Sequence, residues 1–374
     1  MSVNRTSSCA AALAALAMWA SPASAVELVF GSWPPAGERL NRVALPTAFA
    51  EIAKQTNNQI TWKVVPGGQL ADPKATFQAV QDGLMHGGLG ISTYVPNLIP
   101  SLNTIYSTIV FVDDTVAASG AALETYTLNC PSCIEEFKKI NAVALSGWTS
   151  SPYQLACTSP VKTLADLKGK RVRATGGSNE MMQMFGAVPV SATLVEAVGL
   201  LQRGGLDCQF GVHTWLKTFG YADFAKYVTS TPLGLTGPAV NIWNRDAWNK
   251  MTTEQKKIHL RQMSYVSAEL GLGQFVLENE EILEDLKKNK GLQVVQGDDK
   301  AFQEVTAKYD AIQRQRNIEN AKKFGVPDPA AIIEAYVKNQ QKWAKISKEV
   351  GRDINKFAAA MQREVYDKVD LSKL

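Results

Sequence analysis

Histidine is scarce in this chain of 374 residues: there are three, His86, His213 and His259, and no two of them stand at a metal-ligand spacing. Each reads as a structural or surface residue rather than as a catalytic base. Enzyme signatures are missing as well, with no GxGxxG, Walker loop or HExxH and no GxSxG elbow. Their absence lowers the case for an enzyme without excluding one, and nothing calls for a metal or a cofactor. A strong charge of one sign is also lacking, since the formal net charge is +4 and basic residues are interleaved with acidic ones. So small an excess argues against a nucleic-acid partner. Charged residues make up 20% of the chain and hydrophobic ones 45%, enough to bury a sizeable core divided over two lobes. No internal repeat or low-complexity segment is evident.

Long apolar runs are absent except near the start. Residues 1–25 have Arg5 as a positive start, an apolar run from Ala10 to Ala20, and Ala23-Ser24-Ala25 as a small-residue cleavage site, the pattern of a secretory signal peptide. The run is shorter than the roughly 20 apolar residues that span a bilayer. The expectation is an exported, periplasmic protein with no direct membrane insertion. Cysteine is sparse too. Cys9 lies in the leader outside any lipid-attachment context, which leaves Cys130, Cys133, Cys157 and Cys208. An even number in an exported chain points to disulfides, and four cysteines allow three pairings. Cys130 with Cys133 is favoured as local, and Cys157 with Cys208 as lying in one lobe.

What is present alternates. Glu27–Ser32 reads as a strand, Asn41–Thr56 as a helix, Ile60–Val65 as a strand and Asp72–Asp82 as a helix. Further on, Ala142–Gly147, Gln154–Cys157, Arg171–Ala174 and Leu206–Phe210 read as strands, with helices over Asn179–Phe185 and Thr193–Gln202. Tyr227–Thr231 and Val240–Trp243 read as strands that lead back to the first lobe. Such alternation predicts an α/β fold with mainly parallel sheets. From Thr253 onward the periodicity is helical. Lobe I is expected over 26–150 plus about 236–270, and lobe II over 151–235 plus part of 271–374 and the helical tail.

Two features could carry chemistry. Cys130-Pro131-Ser132-Cys133 is a CxxC pair, and in an exported protein such a pair can exchange disulfides when one thiol is activated. A structural staple is the favoured alternative, because the pair sits more than a hundred residues into a large lobe. The second feature is Arg171-Val172-Arg173 before Gly176-Gly177, where strand alternation puts both arginines on one face. Strand periodicity alone favours solvated surface charges, but two such arginines can also make an anion pocket. Trp33, Trp148, Tyr153, Phe210, Trp215 and Trp243 fall at strand ends, where open α/β sheets form their crevice, and together suggest an aromatic lining.

Pro66-Gly67-Gly68-Gln69-Leu70 followed by Gly83, the run Asp166-Leu167-Lys168-Gly169-Lys170-Arg171-Val172-Arg173, and Gly186-Ala187-Val188-Pro189-Val190 with Glu196 and Leu201-Gln202-Arg203-Gly204 resemble, in order, the segments of the C4-dicarboxylate-binding (DctP-like) receptors of tripartite ATP-independent periplasmic (TRAP) transporters. The resemblance implies a two-lobed, periplasmic-binding-protein-like fold with hinge strands and a long lobe-spanning helix. It also implies an organic-acid ligand and TRAP membrane permease subunits as partners. It places the family's carboxylate-clamping arginine on Arg173 and leaves Arg171 as a bystander. Tyr153 stands where some members place a second arginine, and Asp207-Cys208-Gln209-Phe210-Gly211 departs from the usual "DGxEN". Losing those polar groups favours an aromatic or apolar monocarboxylate such as a benzoate-like or aromatic 2-oxo acid. A C4-dicarboxylate is the runner-up, with Arg171 or another residue on its second carboxylate. The expected ligand-binding set is Arg173, Tyr153, Trp148, Trp33, Leu194, Gln209, Phe210 and Trp215.

Overall fold

The computed structural model describes residues 25–374, so the leader expected over 1–25 lies outside the described residues except for Ala25. The chain opens with β1 (Val26–Gly31), α1 (Leu45–Gln55), β2 (Ile60–Val65), α2 (Thr76–Gln81), β3 (Gly87–Ile91), α3 (Pro100–Ser107), α4 (Thr115–Leu128), α5 (Pro131–Lys139) and β4 (Ala142–Trp148). It continues through β5 (Gln154–Cys157), α6 (Leu164–Leu167), β6 (Arg171–Arg173), α7 (Ser178–Met184), β7 (Val188–Val190), α8 (Leu194–Gln202), β8 (Cys208–Gly211), α9 (His213–Thr218) and β9 (Tyr227–Thr229). Then come β10 (Ala239–Asn244), α10 (Arg245–Asn249), α11 (Thr253–Ala268), a wide π-helical stretch at Glu269–Glu278, α12 (Asn279–Lys290), β11 (Gln293–Val295), α13 (Asp299–Lys323), α14 (Pro329–Val350) and α15 (Ile354–Glu364).

The strands form two sheets, ordered β2-β1-β3-β10-β4 and β11-β9-β5-β8-β6-β7. The parallel runs are there, β2-β1-β3 in one sheet and β8-β6-β7 in the other, but both sheets are mixed. In the first, β10 runs antiparallel to β3 and β4; in the second, β5 does so to β8 and β9. The chain crosses between sheets from β4 to β5 and from β9 to β10. It crosses again along the continuous helix from Thr253 to Lys290, whose first part packs on α1, β4 and α15 and whose last part packs on α9. The tail folds back, α14 against α4 and α15 against α11. Among the described residues, no helix is long and apolar enough to cross a membrane.

Local chemistry explains why some elements differ from expectation. The helix expected from Asp72 begins only at Thr76, because Asp72 Oδ1 accepts from the Lys74 and Ala75 amides and closes a turn instead. β3 reads Gly-Gly-Leu-Gly-Ile and carries almost no side-chain pattern. A Cβ at Gly90 would lie 2.3 Å from the Phe77 ring, so the aromatic occupies the room that the strand leaves empty. α4 is buried from Thr115 to Thr127, and a helix covered on all sides shows no amphipathic stripe. α14 grips it through Trp343, whose Nε1 donates to Glu124 Oε2 at 2.6 Å, while Lys342 Nζ donates to the same carboxylate.

Both favoured disulfides are formed, Cys130–Cys133 and Cys157–Cys208. The second joins directly paired residues of β5 and β8. All four cysteines are buried, and Cys130 sits at the N-cap of α5 with its sulfur accepting from the Cys133 amide. A thiol-exchange centre needs an accessible sulfur, and this pair offers none; the oxidoreductase reading finds no support.

Candidate functional site

β6 fixes two arginines by simple alternation. Val172 points into the core with no exposure, while Arg171 and Arg173 share the opposite face. Their environments then separate them. Arg171 is partly exposed and pairs with Asp207, Nη2 to Oδ1 at 2.9 Å and Nε to Oδ2 at 3.1 Å. Hydrogen bonding and charge from Arg171 hold the Asp207 carboxyl below its usual range. An arginine so engaged is not free for a ligand's second carboxylate.

Arg173 is only 2% exposed. Its Nε donates to the Ala192 carbonyl at 2.9 Å and its Nη2 to the Tyr94 hydroxyl at 3.2 Å. It belongs to no salt bridge among the described residues, unlike Arg171 on the same strand. Burial works against its charge, and the nearby Tyr94, Tyr221, Tyr106 and Tyr153 oxygens outweigh that, so its pKa stands above the ordinary arginine value. Burial pushes the Tyr94 phenol up to about 12 against the pull of Arg173 and raises Tyr221 and Tyr153 as well, so these three are neutral at physiological pH. Arg173 is thus a buried cation ringed by dipoles and lacking a counter-charge.

The phenols also hold the start of α8. Thr193 caps that helix in a capping box with Glu196. The Tyr94 hydroxyl accepts from the Leu194 amide at 3.2 Å, and the Tyr221 hydroxyl donates to the Leu194 carbonyl. Trp33 meets Tyr94 edge-on at 6.3 Å and stacks on Phe219 at 6.2 Å, its indole N–H held by the Leu89 carbonyl. Trp33 follows a strand of the first sheet and Phe219 the helix after β8, so the stack bridges the lobes. A second cluster has Tyr153 edge-on to Phe210 at 5.0 Å and to Trp215 at 5.3 Å, with Trp215 against Phe275 of the spanning helix. The Thr236 hydroxyl donates to Tyr153 at 2.9 Å.

Of the expected residues, Arg173, Leu194 and Trp33 meet through Tyr94, and Tyr153, Phe210 and Trp215 form the second cluster. Gln209 is the register partner of Arg173. Trp148 is buried at the end of β4 opposite Ala239, and among the described residues no aromatic or hydrogen-bond contact ties it to either cluster. Trp243 does not line a cleft: it lies in the first core, 5.9 Å from Phe30 and 5.8 Å from Trp62. Tyr94, Tyr106, Phe219, Tyr221 and Phe275 were not anticipated. Tyr94 follows the unrecognised β3, and the others sit on helices or helix ends. The glycine pair has its own reason: a Cβ on Gly177 would lie 2.3 Å from the Ser107 carbonyl oxygen and 2.7 Å from the Tyr309 hydroxyl, so α3 and α13 approach the turn after β6 closely. Beside that turn runs a polar groove of about 600 Å³ lined by Thr93, Asn103, Thr175 and Asn317.

Glu38, in the loop after β1, joins three parts of the fold. Gln274 of the π-helical stretch donates to its Oε1, Thr218 of α9 lies close enough to lower its pKa, and Oε2 is buried without a partner among the described residues. Burial raises its pKa from 4.5 to about 7, with Glu278 adding to the rise while Gln274, Thr218 and Arg42 oppose it. The nearby Arg39 is already paired with Glu269 and Glu278. Below pH 4.5 both the folded and unfolded chains keep the proton and Glu38 costs nothing. As pH rises to about 7 the unfolded chain ionises first, and stability falls. The interval of 7 − 4.5 = 2.5 in pKa corresponds to roughly 3 kcal/mol. Glu38→Gln should therefore stabilise the protein relative to wild type at pH 8 but hardly at pH 4.5; an equal effect in denaturation curves at both pH values would contradict the assignment.

A model described as bacterial extracellular solute-binding protein, family 7, matches residues 42–316. The C4-dicarboxylate-binding protein DctB of Bacillus subtilis is 23% identical over 271 residues, which are 71% of this chain and 76% of that protein. A TRAP periplasmic solute-binding protein from Bordetella bronchiseptica, solved with bound (R)- and (S)-mandelate, aligns with a TM-score of 0.72 at 24% identity, covering 85% of this chain and 99% of that one. A TRAP solute-binding protein from Rhodoferax ferrireducens, in complex with copurified benzoate, aligns with a TM-score of 0.74 at 17% identity, covering 86% and 99%.

Proposed function

This chain belongs to family 7 of the bacterial extracellular solute-binding proteins, a family of transporter receptors and not of enzymes, and from that premise we propose that it captures an aromatic or apolar monocarboxylate between its lobes and delivers it to a TRAP permease from the periplasm. The observation that carries this reading is the buried Arg173 guanidinium without a carboxylate partner. A charge in that position is costly to bury unless an anion joins it. A carboxylate does so with two parallel hydrogen bonds. Around it the fold supplies Trp33, Tyr153, Phe210 and Trp215, which suit an apolar body and offer no second cation. The Arg171–Asp207 pair weighs against a dicarboxylate. Binding is followed by hinge closure without covalent chemistry, with 26–150 plus 236–270 as one lobe and 151–235 plus part of 271–374 as the other. The relatives with bound benzoate and mandelate show that this fold accommodates aromatic acids.

A thermal-shift panel tests the ranking. Benzoate and phenylacetate should raise the melting temperature more than succinate or malate at equal concentration, since a ligand at 100 times its Kd adds about 2.7 kcal/mol of apparent stability. A larger shift with succinate would reverse the order.

A further inference from the structure

Gln209 pairs in register with Arg173 and is 1% exposed. In a parallel pair, register partners share a face, so the amide emerges beside the arginine. The Arg173 guanidinium leans the other way, toward the Ala192 carbonyl beyond β7, and the two side chains diverge. Gln209 Nε2 donates to the Phe210 carbonyl at 3.2 Å, whereas Oε1 is buried with no partner among the described residues. The amide cannot be reversed, because Oε1 would then face another acceptor at Phe210. Two residues on, Gly211 makes room for this arrangement. A Cβ there would lie 2.8 Å from Gln209 Nε2 and 2.6 Å from the Trp215 ring; the amide and the indole together occupy the space of a side chain at 211.

A buried carbonyl oxygen lacking a donor is costly, and the fold leaves this one on the residue paired with Arg173, which has no carboxylate partner among the described residues. We propose that Gln209 Oε1 accepts a hydrogen bond from a hydroxyl on the ligand, so that the site takes hydroxylated monocarboxylates in preference to the unsubstituted acids. This rests on the reading of Arg173 as the carboxylate anchor. An amine would also supply a donor, but as an ammonium it would sit beside the Arg173 charge and be repelled. The hydroxyl belongs on the part of the ligand that reaches from Arg173 on β6 to Gln209 on the neighbouring β8, near the carboxylate or on the adjoining ring.

Isothermal titration with phenylacetate, mandelate and 3-hydroxyphenylacetate, which differ by one hydroxyl, tests the assignment. Wild-type protein should bind at least one hydroxylated acid tenfold or more tighter than phenylacetate. Gln209→Leu should erase that gap while keeping phenylacetate within about threefold, in line with the discrimination expected when a site hydroxyl partner is lost. Gln209→Met serves in its place if the leucine variant fails to fold. Equal binding of all three acids by wild type, or a gap that survives the substitution, overturns the role of Gln209 alone. Binding of none of them overturns the carboxylate reading itself, and this proposal with it.

Discussion

Replacing Arg173 by methionine should abolish most of the affinity for benzoate while leaving the empty protein at least as stable as wild type. Removing one partner of a buried, hydrogen-bonded charge pair costs about 2–5 kcal/mol, a weakening of tens to thousands of times at about 1.4 kcal/mol per tenfold. The stability half of the result follows from the same burial. Within the protein Arg173 has two hydrogen bonds, to Ala192 and Tyr94, and no carboxylate partner among the described residues. Methionine fills similar volume and removes a charge that nothing neutralises, a replacement that is often neutral or stabilising. A purely structural arginine would behave in the opposite manner, with stability lost first and affinity only in consequence. Arg173→Lys should fall between, since an ammonium keeps the charge and loses the two-pronged geometry. Titration calorimetry beside urea denaturation reads both quantities; full benzoate affinity in the methionine variant would remove Arg173 from the site.

The Cys157–Cys208 link should be worth far more than Cys130–Cys133. The loops they close span 51 and 3 residues, and the chain-entropy relation gives about 4 and about 2 kcal/mol respectively. Position widens the gap. Cys157 and Cys208 pin β5 to β8 in the middle of the second sheet, and β8 carries Gln209 and Phe210. The double alanine variant at 157 and 208 should lower both the urea midpoint and ligand affinity. The serine pair at 130 and 133 should lower the midpoint by about half as much and leave the affinity unchanged. Equal losses from the two variants would show that loop length is not what decides. The wild-type protein should show no turnover in an insulin-reduction assay.

Much of this architecture is readable along the chain because local chemistry and tertiary packing agree there. Thr193 and Glu196 announce the start of α8, and the arginines of β6 sit where alternation requires. What escaped notice did so for two physical reasons. β3 has glycines where a pattern would be, their missing side chains replaced by rings from elsewhere in the chain, and α4 is buried on every face. Losing β3 hid Tyr94, the residue that ties Arg173 to Leu194 and Trp33. Trp243 shows the converse: a strand end says where a side chain stands along the sheet but not which face it takes, and this one turned into the core. Periodicity could not divide Arg171 from Arg173, because the difference between them is made by Asp207, distant in sequence.

The position of β10 sets an order of events during synthesis. β3 and β4 never touch each other; β10 lies between them and hydrogen-bonds to both. Until residues 239–244 have been made, the first sheet exists as two unjoined pieces, β2-β1-β3 on one side and β4 alone on the other, each with an open edge. A ribosome working from the N-terminus thus completes every strand of the second sheet but β11 before the first can close. The first lobe, earliest in the chain, is therefore among the last parts to become a finished structure.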